Sequence, residues 1–144
     1  MEIRPLNDSY AVSPQISAQD MPAIAQAGFS VVICNRPDGE VGPDHKVAAL
    51  KAAAEAEGLD FVVNPVVPGG LTMDNVTLQR EAIDSAERDG NKVLAYCASG
   101  NRSSIVWALA NAGRQPTDSL IAAGAQYGYQ TGQFRDLIDR LAAE

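Results

Sequence analysis

The chain has 144 residues, 46% of them hydrophobic and 20% charged, which is long enough for a full core and typical of a soluble globular protein. Its formal net charge of −7 argues against general binding to nucleic acids or acidic membranes, so any anion site must be local. The apolar runs are too short to cross a bilayer, the first residues do not open a signal peptide, and two cysteines make no disulfide framework. We therefore expect one cytoplasmic domain, residues 1–144, with no membrane or nucleic-acid partner.

Short β-type runs alternate with amphipathic helical stretches, a pattern typical of an α/β fold with a mainly parallel sheet. One or two short edge strands are predicted within Ile3–Val12. The segment Ser17–Asp20 has the form of a capping box that opens a helix ended by Gly28. The elements predicted next are a buried strand (Phe29–Cys34), a loop (Asn35–Pro43), a helix stopped by Gly58 (Asp44–Glu57), a strand (Asp60–Pro65) and a loop (Val66–Leu71).

In the second half, Thr72 or Asp74 is expected to cap a helix that runs to about Asp89. The strand Lys92–Tyr96 then leads directly to Cys97. The remaining predicted elements are three helices: Ser103–Ala112, Thr117–Tyr127 and Gln133–Ala143. No repeat or linker interrupts this order, so we predict a single α/β domain whose central, mainly parallel sheet is flanked by helices.

The segment that follows the last strand, Cys97–Arg102 (CASGNR), has the features of an anion-binding loop. Ligands in open α/β sheets bind beyond the carboxyl ends of the strands, and this segment lies at such an end. A helix N-terminus favours anions and lowers a thiol pKa, which gives the nucleophilic thiolate. Arg102 adds a planar cationic fork suited to an oxyanion, and Ser103 is placed to hydrogen-bond the sulfur or the departing group. The small or turn-forming residues whose N–H groups can face one concavity are Ala98, Ser99, Gly100 and Asn101.

A cysteine that ends a strand is more often a small buried side chain than a nucleophile. The glycine-bearing loop, the arginine and the following helix together reverse that expectation here. We therefore predict Cys97 as a nucleophile that needs neither a cofactor nor a metal.

The motif C-x-x-G-x-R-S, Cys97–Ser103, resembles the anion loop of cysteine-dependent phosphatases and of rhodanese-type sulfurtransferases. Over most of the chain, ISAQDMPAIAQAGFSVVICNRPDGE, NPVVPGGLT and LAYCASGNRSS are similar to the DUF442 or beta-lactamase hydrolase-like phosphatase family. This resemblance implies a dual-specificity protein tyrosine phosphatase-like fold. It also implies Cys97 as the nucleophile, Arg102 as the oxyanion clamp and Ser103 as the hydroxyl beside them.

Two departures from the phosphatase pattern are present. Phosphatase loops usually hold five residues between cysteine and arginine, whereas only four separate Cys97 from Arg102. The shorter loop makes a tighter cradle, which resembles sulfurtransferases more closely. Tyr96 also stands where many phosphatases carry histidine.

The sequence offers no clear general acid for the leaving oxygen of a phosphate ester. Such phosphatases commonly carry an aspartate about 30 residues before the cysteine, yet the window Val66–Gly70 has no carboxylate. Asp74 is the nearest candidate, although an aspartate in a first helical turn usually caps the helix. Asp38 and Glu40 are rival acids. Sulfur transfer needs no such acid, so this absence favours it modestly.

Several other side chains have both structural and functional interpretations. Cys34 is either a small buried residue or a thiol that forms a reversible disulfide with oxidised Cys97. His45, the single histidine, is more consistent with a surface or capping role, and no metal cluster is expected. Local positive charge near the mouth of the site, or a place on its rim, is a possible role for Arg36, Arg114, Tyr129 and Gln130.

Three functions remain open from the sequence. The first is hydrolysis of phosphomonoesters, phosphotyrosine included, through a cysteinyl-phosphate at Cys97. The second is sulfane-sulfur transfer through a Cys97 persulfide. The third is a non-catalytic module that binds an anion or a partner protein. The expected ligand is a small anionic substrate or a phosphoprotein.

Overall fold

The computed structural model describes residues 1–144 and contains one five-stranded sheet in the order β1-β2-β5-β3-β4. Only β1 and β2 pair in antiparallel fashion, and the other neighbouring strands are parallel. The predicted α/β fold with a mainly parallel sheet is therefore confirmed. The strands are β1 (Arg4–Pro5), β2 (Tyr10–Ser13), β3 (Phe29–Cys34), β4 (Asp60–Val63) and β5 (Lys92–Tyr96).

Six α-helices cover the two faces of the sheet and divide the core into two clusters. Apolar residues of α1 and α2 pack on one face, while the buried residues of α3 to α6 pack on the other. A strand with both faces covered reads as a continuous apolar run, as Phe29–Cys34 does. The helices are α1 (Met21–Gln26), α2 (Val47–Ala56), α3 (Met73–Arg88), α4 (Asn101–Ala110), α5 (Thr117–Ala125) and α6 (Arg135–Ala142).

Three predictions for the first half of the chain differ from the structure: the position of one strand in the sheet and the bounds of two elements. β2 lies inside the sheet between β1 and β5, so only β1 is an edge strand on that side. α2 begins at Val47 and not at Asp44, because Pro43–His45 forms a separate 3-10 turn. The Val47 N–H donates to the carboxylate of Asp38 at 2.8 Å, which gives α2 its N-terminal acceptor. The strand predicted as 60–65 ends at Val63.

The last three helices also differ at their ends. α4 begins at Asn101, two residues earlier than predicted, because Gly100 adopts φ +98° and turns the chain directly into the helix. α5 ends at Ala125, two residues early. α6 begins at Arg135 because a 3-10 turn, Thr131–Phe134, precedes it.

The register between β3 and β5 determines which residues lie together at the site. Cys34 pairs with Tyr96 across β3 and β5, so Cys97 and the loop after Cys34 emerge at the same edge of the sheet. The two cysteine-bearing strands, β3 and β5, are therefore neighbours in the sheet. None of the helices combines the length and the apolar character that a membrane crossing requires.

Candidate functional site

The loop between β5 and α4 curls around the sulfur of Cys97. The Gly100 N–H donates to Cys97 Sγ at 3.1 Å, a contact that favours a negatively charged sulfur. Gly100 has a left-handed backbone, and a side chain there would collide with the hydroxyl of Tyr129. That hydroxyl donates to the carbonyl of Ser99 at 2.9 Å. Glycine is therefore required twice at position 100, by its φ angle and by the ring behind it.

Much of the backbone of this loop is left without an acceptor inside the protein. The Asn101 N–H donates to the Ser99 hydroxyl at 3.2 Å, and the first regular bond of α4 is Ser104 N–H to the Gly100 carbonyl. Free N–H groups at a helix N-terminus, next to a cysteine, form the kind of concavity that binds anions. After Cys97, the N–H groups with no acceptor in the chain are those of Ala98, Ser99, Arg102 and Ser103.

The guanidinium of Arg102 is held by a carboxylate from another loop. Its two terminal nitrogens each donate to one oxygen of Glu40 at 2.8 Å, and one of them also donates to the Val66 carbonyl at 2.9 Å. Arg36 Nε donates to the same Glu40 at 3.1 Å. This bidentate ion pair raises the pKa of Arg102 further and holds the pKa of Glu40 below its usual range. The Nε–H of Arg102 makes no hydrogen bond with Glu40.

None of the three candidate acids is placed as a proton donor. Arg102 binds the carboxylate of Glu40 and lowers its pKa, which disfavours the protonated form that a general acid needs. Asp38 accepts the Val47 N–H and caps α2. Asp74 is exposed in the first turn of α3 and does not line the cavity beside the loop. The side chains around the cavity include no carboxyl group.

Ser103 lies in the first turn of α4 and is fully buried. Its hydroxyl has no hydrogen-bond partner, so the predicted contact with the Cys97 sulfur is not made in this structure. A buried free hydroxyl is costly unless another state of the site uses it. The Ser103 carbonyl accepts a hydrogen bond from Tyr10 at 3.1 Å.

A buried network of side-chain amides supports the loop where it enters α4. It was not predicted from the sequence. The Gln79 side-chain oxygen accepts from the amides of Asn35 (3.0 Å) and Asn64 (2.8 Å). Its amide nitrogen donates to the Tyr10 hydroxyl at 2.9 Å. That hydroxyl in turn donates to the Ser103 carbonyl. The network thus links the carboxyl ends of β3 and β4 to the first turn of α4.

A signal for this network exists in the sequence. Gln79 falls among Val76 and Ile83 on the helical spacing that predicts the buried face of α3. Asn35 directly follows a buried strand, and Asn64 follows the next one. Polar side chains at buried positions must find partners, so amides at these positions predict contact with one another.

Cys34 occupies a different environment from Cys97, although both are free and buried. It packs with Tyr96 in the cluster under α1 and α2, and its thiol donates to the Arg36 carbonyl at 3.2 Å. Burial raises the pKa of the Cys34 thiol. Cys97 Sγ instead turns toward Gly100 at the start of α4, which covers the other face. A disulfide between the two would require one side chain to leave its face of the sheet, and it stays a prediction.

A cavity of about 500 Å³ adjoins the loop. Ser99, Asn101 and Arg102 form its loop side, whereas Cys97 is not among the lining residues and has 1% of its surface exposed. Six hydrophobic side chains line the remainder: Val66, Val67, Leu71, Ile105, Phe134 and Leu137.

The other predicted residues lie either in the lining of the cavity or away from it. Gln130 lines the cavity, and its backbone N–H donates to the side-chain oxygen of Asn101 at 2.9 Å. Arg114 pairs with Asp84 and is not among the cavity residues. His45 is half-buried at the end of a 3-10 turn, also outside the cavity lining.

The sequence is related to known proteins along its whole length. The model of the family described as "Beta-lactamase hydrolase-like protein, phosphatase-like domain" matches residues 2–114. The beta-lactamase hydrolase-like protein of Xylella fastidiosa (strain 9a5c) is 30% identical over 146 residues, which is 100% of this chain and 33% of that protein. Its counterpart in Agrobacterium fabrum is 29% identical over 126 residues, 86% of this chain and 28% of that protein. The chain thus spans about a third of the length of the curated relatives it matches.

Solved structures agree with this relationship. A candidate phosphatase from Neisseria meningitidis Z2491 superposes with a TM-score of 0.81 at 33% identity, covering 98% of this chain and 99% of that one. The active form of the protein named Tk-PTP has a TM-score of 0.79 at 17% identity, covers 99% of this chain and 97% of that one, and shows the shared fold alone. The fold is therefore protein tyrosine phosphatase-like. The chain belongs to the family of the phosphatase-like domain of beta-lactamase hydrolase-like proteins.

Proposed function

We propose that this chain is a phosphatase-type enzyme that hydrolyses phosphomonoesters through a covalent intermediate on Cys97. The observation that carries the proposal is the contact between the Gly100 N–H and Cys97 Sγ, inside a loop with four unpartnered backbone N–H groups. We expect those groups and the Nε–H of Arg102 to donate to the equatorial oxygens of a bound phosphoryl group. The family and the protein tyrosine phosphatase-like fold support the same reaction class.

In the first step, the Cys97 thiolate attacks phosphorus, so a P–S bond forms while the P–O bond to the leaving group breaks. In the second step, water attacks the cysteinyl-phosphate, and inorganic phosphate and the thiolate are released. Arg102 stabilises the charge on the phosphoryl oxygens in both steps. No carboxyl group lines the cavity, so the leaving oxygen departs without a protein acid. We therefore expect aryl esters, whose leaving groups need little protonation, to react far faster than alkyl esters.

Sulfane-sulfur transfer is the second candidate, and two specific observations favour it. Only four residues separate Cys97 from Arg102, and every nearby carboxylate is engaged or directed elsewhere. In this reaction the thiolate attacks the outer sulfur of a donor such as thiosulfate. A new S–S bond forms, the S–S bond of the donor breaks, and sulfite leaves with the electron pair. A thiol acceptor then removes the outer sulfur from the Cys97 persulfide.

Mass spectrometry of the acid-quenched protein separates these reactions. The protein is incubated with 4-nitrophenyl phosphate or with thiosulfate, and the Cys97 peptide is examined for a phosphoryl group or for one added sulfur. The proposal predicts the phosphoryl adduct, absent in Cys97→Ser. A sulfur adduct together with at least tenfold faster turnover of thiosulfate would replace it with the second candidate. The absence of both adducts, with anion binding retained, would indicate a non-catalytic module.

A further inference from the structure

The cavity beside the Cys97 loop has an uneven distribution of charge. Six of its lining side chains are hydrophobic, and its polar members include Ser99, Asn101, Gln130 and Gln133. Arg102 is the single charged residue of the lining. The only positive charge in the lining of this cavity therefore lies at the loop end, and the far end is uncharged.

Only one positive charge remains for a ligand at this end of the cavity. Glu40 binds both terminal nitrogens of Arg102 and also accepts from Arg36, so these two cations and one carboxylate together leave a single positive charge, which one anionic head group can match. A substrate with a second anionic group would have to leave water for a wall that offers no further cation. Burying an unpaired charge in this way is strongly unfavourable.

A second cavity on the other side of the loop provides a contrast. It shares Ser99, Asn101 and Gln130 with the first, but its remaining wall contains Arg4 and the two tyrosines of the 127–129 segment. Arg4 is engaged by Glu2 and by the Tyr129 hydroxyl, to which it donates at 2.9 Å. Polar and charged groups thus collect on this second side, whereas apolar groups collect on the first.

We infer that the first cavity binds an aryl group of one or two rings, attached to the anionic head that the Cys97 loop holds. Phe134, Leu137 and Ile105 provide apolar surface for the ring, and the amides of Gln130 and Gln133 can meet a polar substituent at its edge. The volume and mainly apolar lining match sites that bury small organic ligands. This inference rests on the proposed function. It narrows the substrates to aryl esters that carry no charged group besides the anionic head. Sugar phosphates, nucleoside polyphosphates and inositol polyphosphates are excluded as good ligands.

Calorimetric titration of Cys97→Ser protein tests the inference without turnover. The ligands are inorganic phosphate, glycerol 2-phosphate, 2-naphthyl phosphate and inositol hexakisphosphate. We expect 2-naphthyl phosphate to bind at least about tenfold more tightly than the other three, because only its rings bury apolar surface in the cavity. A neutral peptide that carries phosphotyrosine forms an additional arm: equal affinity would place the ring on a protein side chain, and weaker binding would indicate a free aryl ester.

Two variants test whether the preference for the naphthyl ester arises in the first cavity. Phe134→Ala in the same background should reduce the preference for the naphthyl ester at least threefold and leave the affinity for phosphate unchanged. Arg4→Gln, in the second cavity, is the matched control and should change neither value. Equal affinity for the naphthyl and glycerol esters, or tighter binding of the hexakisphosphate, would overturn this inference while the proposed function stands. A protein that binds none of these anions would overturn the proposed function and this inference with it.

Discussion

The carboxyl ends of β5 and β3 lie side by side, and each presents a buried cysteine. Cys97 follows β5 and enters a loop that closes on the N-terminus of α4, where a backbone N–H donates to its sulfur. Cys34 ends β3 and is followed by an extended loop, where its thiol donates to a carbonyl oxygen. The direction of these two hydrogen bonds is opposite. An N–H donor stabilises a thiolate, whereas a carbonyl acceptor stabilises the protonated thiol.

This comparison shows that a position at the carboxyl end of a strand does not by itself make a cysteine a nucleophile. Both cysteines are adjacent in the sheet, and both are almost fully buried. What distinguishes Cys97 is the backbone that follows it, with Gly100 in a left-handed conformation and four N–H groups free. Burial alone raises the pKa of Cys34 and leaves it a poor nucleophile at neutral pH.

Replacing each cysteine by serine should have very different consequences. Cys97→Ser should reduce turnover by at least about 10³-fold, because the hydroxyl is a much weaker nucleophile in a site without a general base. Cys34→Ser, the matched control, should retain activity within about threefold, provided that the folded fraction is the same. Steady-state assays with 4-nitrophenyl phosphate and with thiosulfate measure both. Normal turnover by Cys97→Ser would contradict the assignment of the nucleophile.

The two arginines bound to Glu40 provide a second contrast. Arg102→Lys should lose about 10²-fold in kcat/KM, because lysine cannot supply the planar fork to a transition-state oxyanion. Arg36→Lys keeps a cation beside Glu40, outside the lining of the cavity, and should lose less than about threefold. Kinetics of the two variants at equal ionic strength test this difference. Equal losses would indicate that Arg102 only pairs with Glu40.

The amide network links the carboxyl ends of β3 and β4 to the first turn of α4, so breaking it should affect stability. Gln79→Leu removes the partners of two asparagine amides and of Tyr10, and we expect a loss of about 2–4 kcal/mol in the free energy of unfolding. Gln126→Leu, at an exposed position, should stay within about 0.5 kcal/mol of the parent. Urea titrations measure both values. A Gln79→Leu protein as stable as Gln126→Leu would mean that the network contributes no net stability.

The ion pair between Glu40 and Arg102 predicts the smallest effect, a shift in acid stability. The pKa of Glu40 in the folded protein lies below its ordinary value of 4.5. Its contribution to stability is therefore present above about pH 4.5 and is lost as the pH falls through the lower, folded value. The parent protein should lose more of its melting temperature than Glu40→Gln as the pH falls from 5 to 3, with exposed Glu55→Gln as the control. Parallel curves for the parent and Glu40→Gln would contradict the pairing.

The elements nearest to the site were predictable because their signals are local. Phe29–Cys34 and Lys92–Tyr96 are apolar, β-rich runs with turn residues at their ends, and the structure has both strands with the predicted bounds. The segment Cys97–Arg102 could be identified from residue type and spacing alone. The helix that follows this segment, α4, begins two residues earlier than predicted. Its start depends on the φ angle of Gly100, which the sequence does not specify.

The pairing of side chains distant in sequence could not be predicted in the same way. The sequence indicates Glu40 only as a rival acid, yet it binds Arg102 across 62 residues of sequence separation. Tyr129 closes behind Gly100 from the C-terminal region, where local pattern indicates only packing. Such contacts follow from how β3, β5 and the last helices are arranged in three dimensions, which one-dimensional periodicity does not specify.

Alkylation of the two cysteines by iodoacetamide at pH 7, resolved by peptide mass spectrometry, tests the central claim in a single sample. We expect the Cys97 peptide to be modified at least about tenfold faster than the Cys34 peptide, because only Cys97 receives a backbone N–H at its sulfur. Sulfate should slow the modification of Cys97 and leave that of Cys34 unchanged, because the loop binds the anion. Faster modification of Cys34, or a Cys97 rate that sulfate does not change, would contradict the claim that the loop after β5 creates the nucleophile and its anion site.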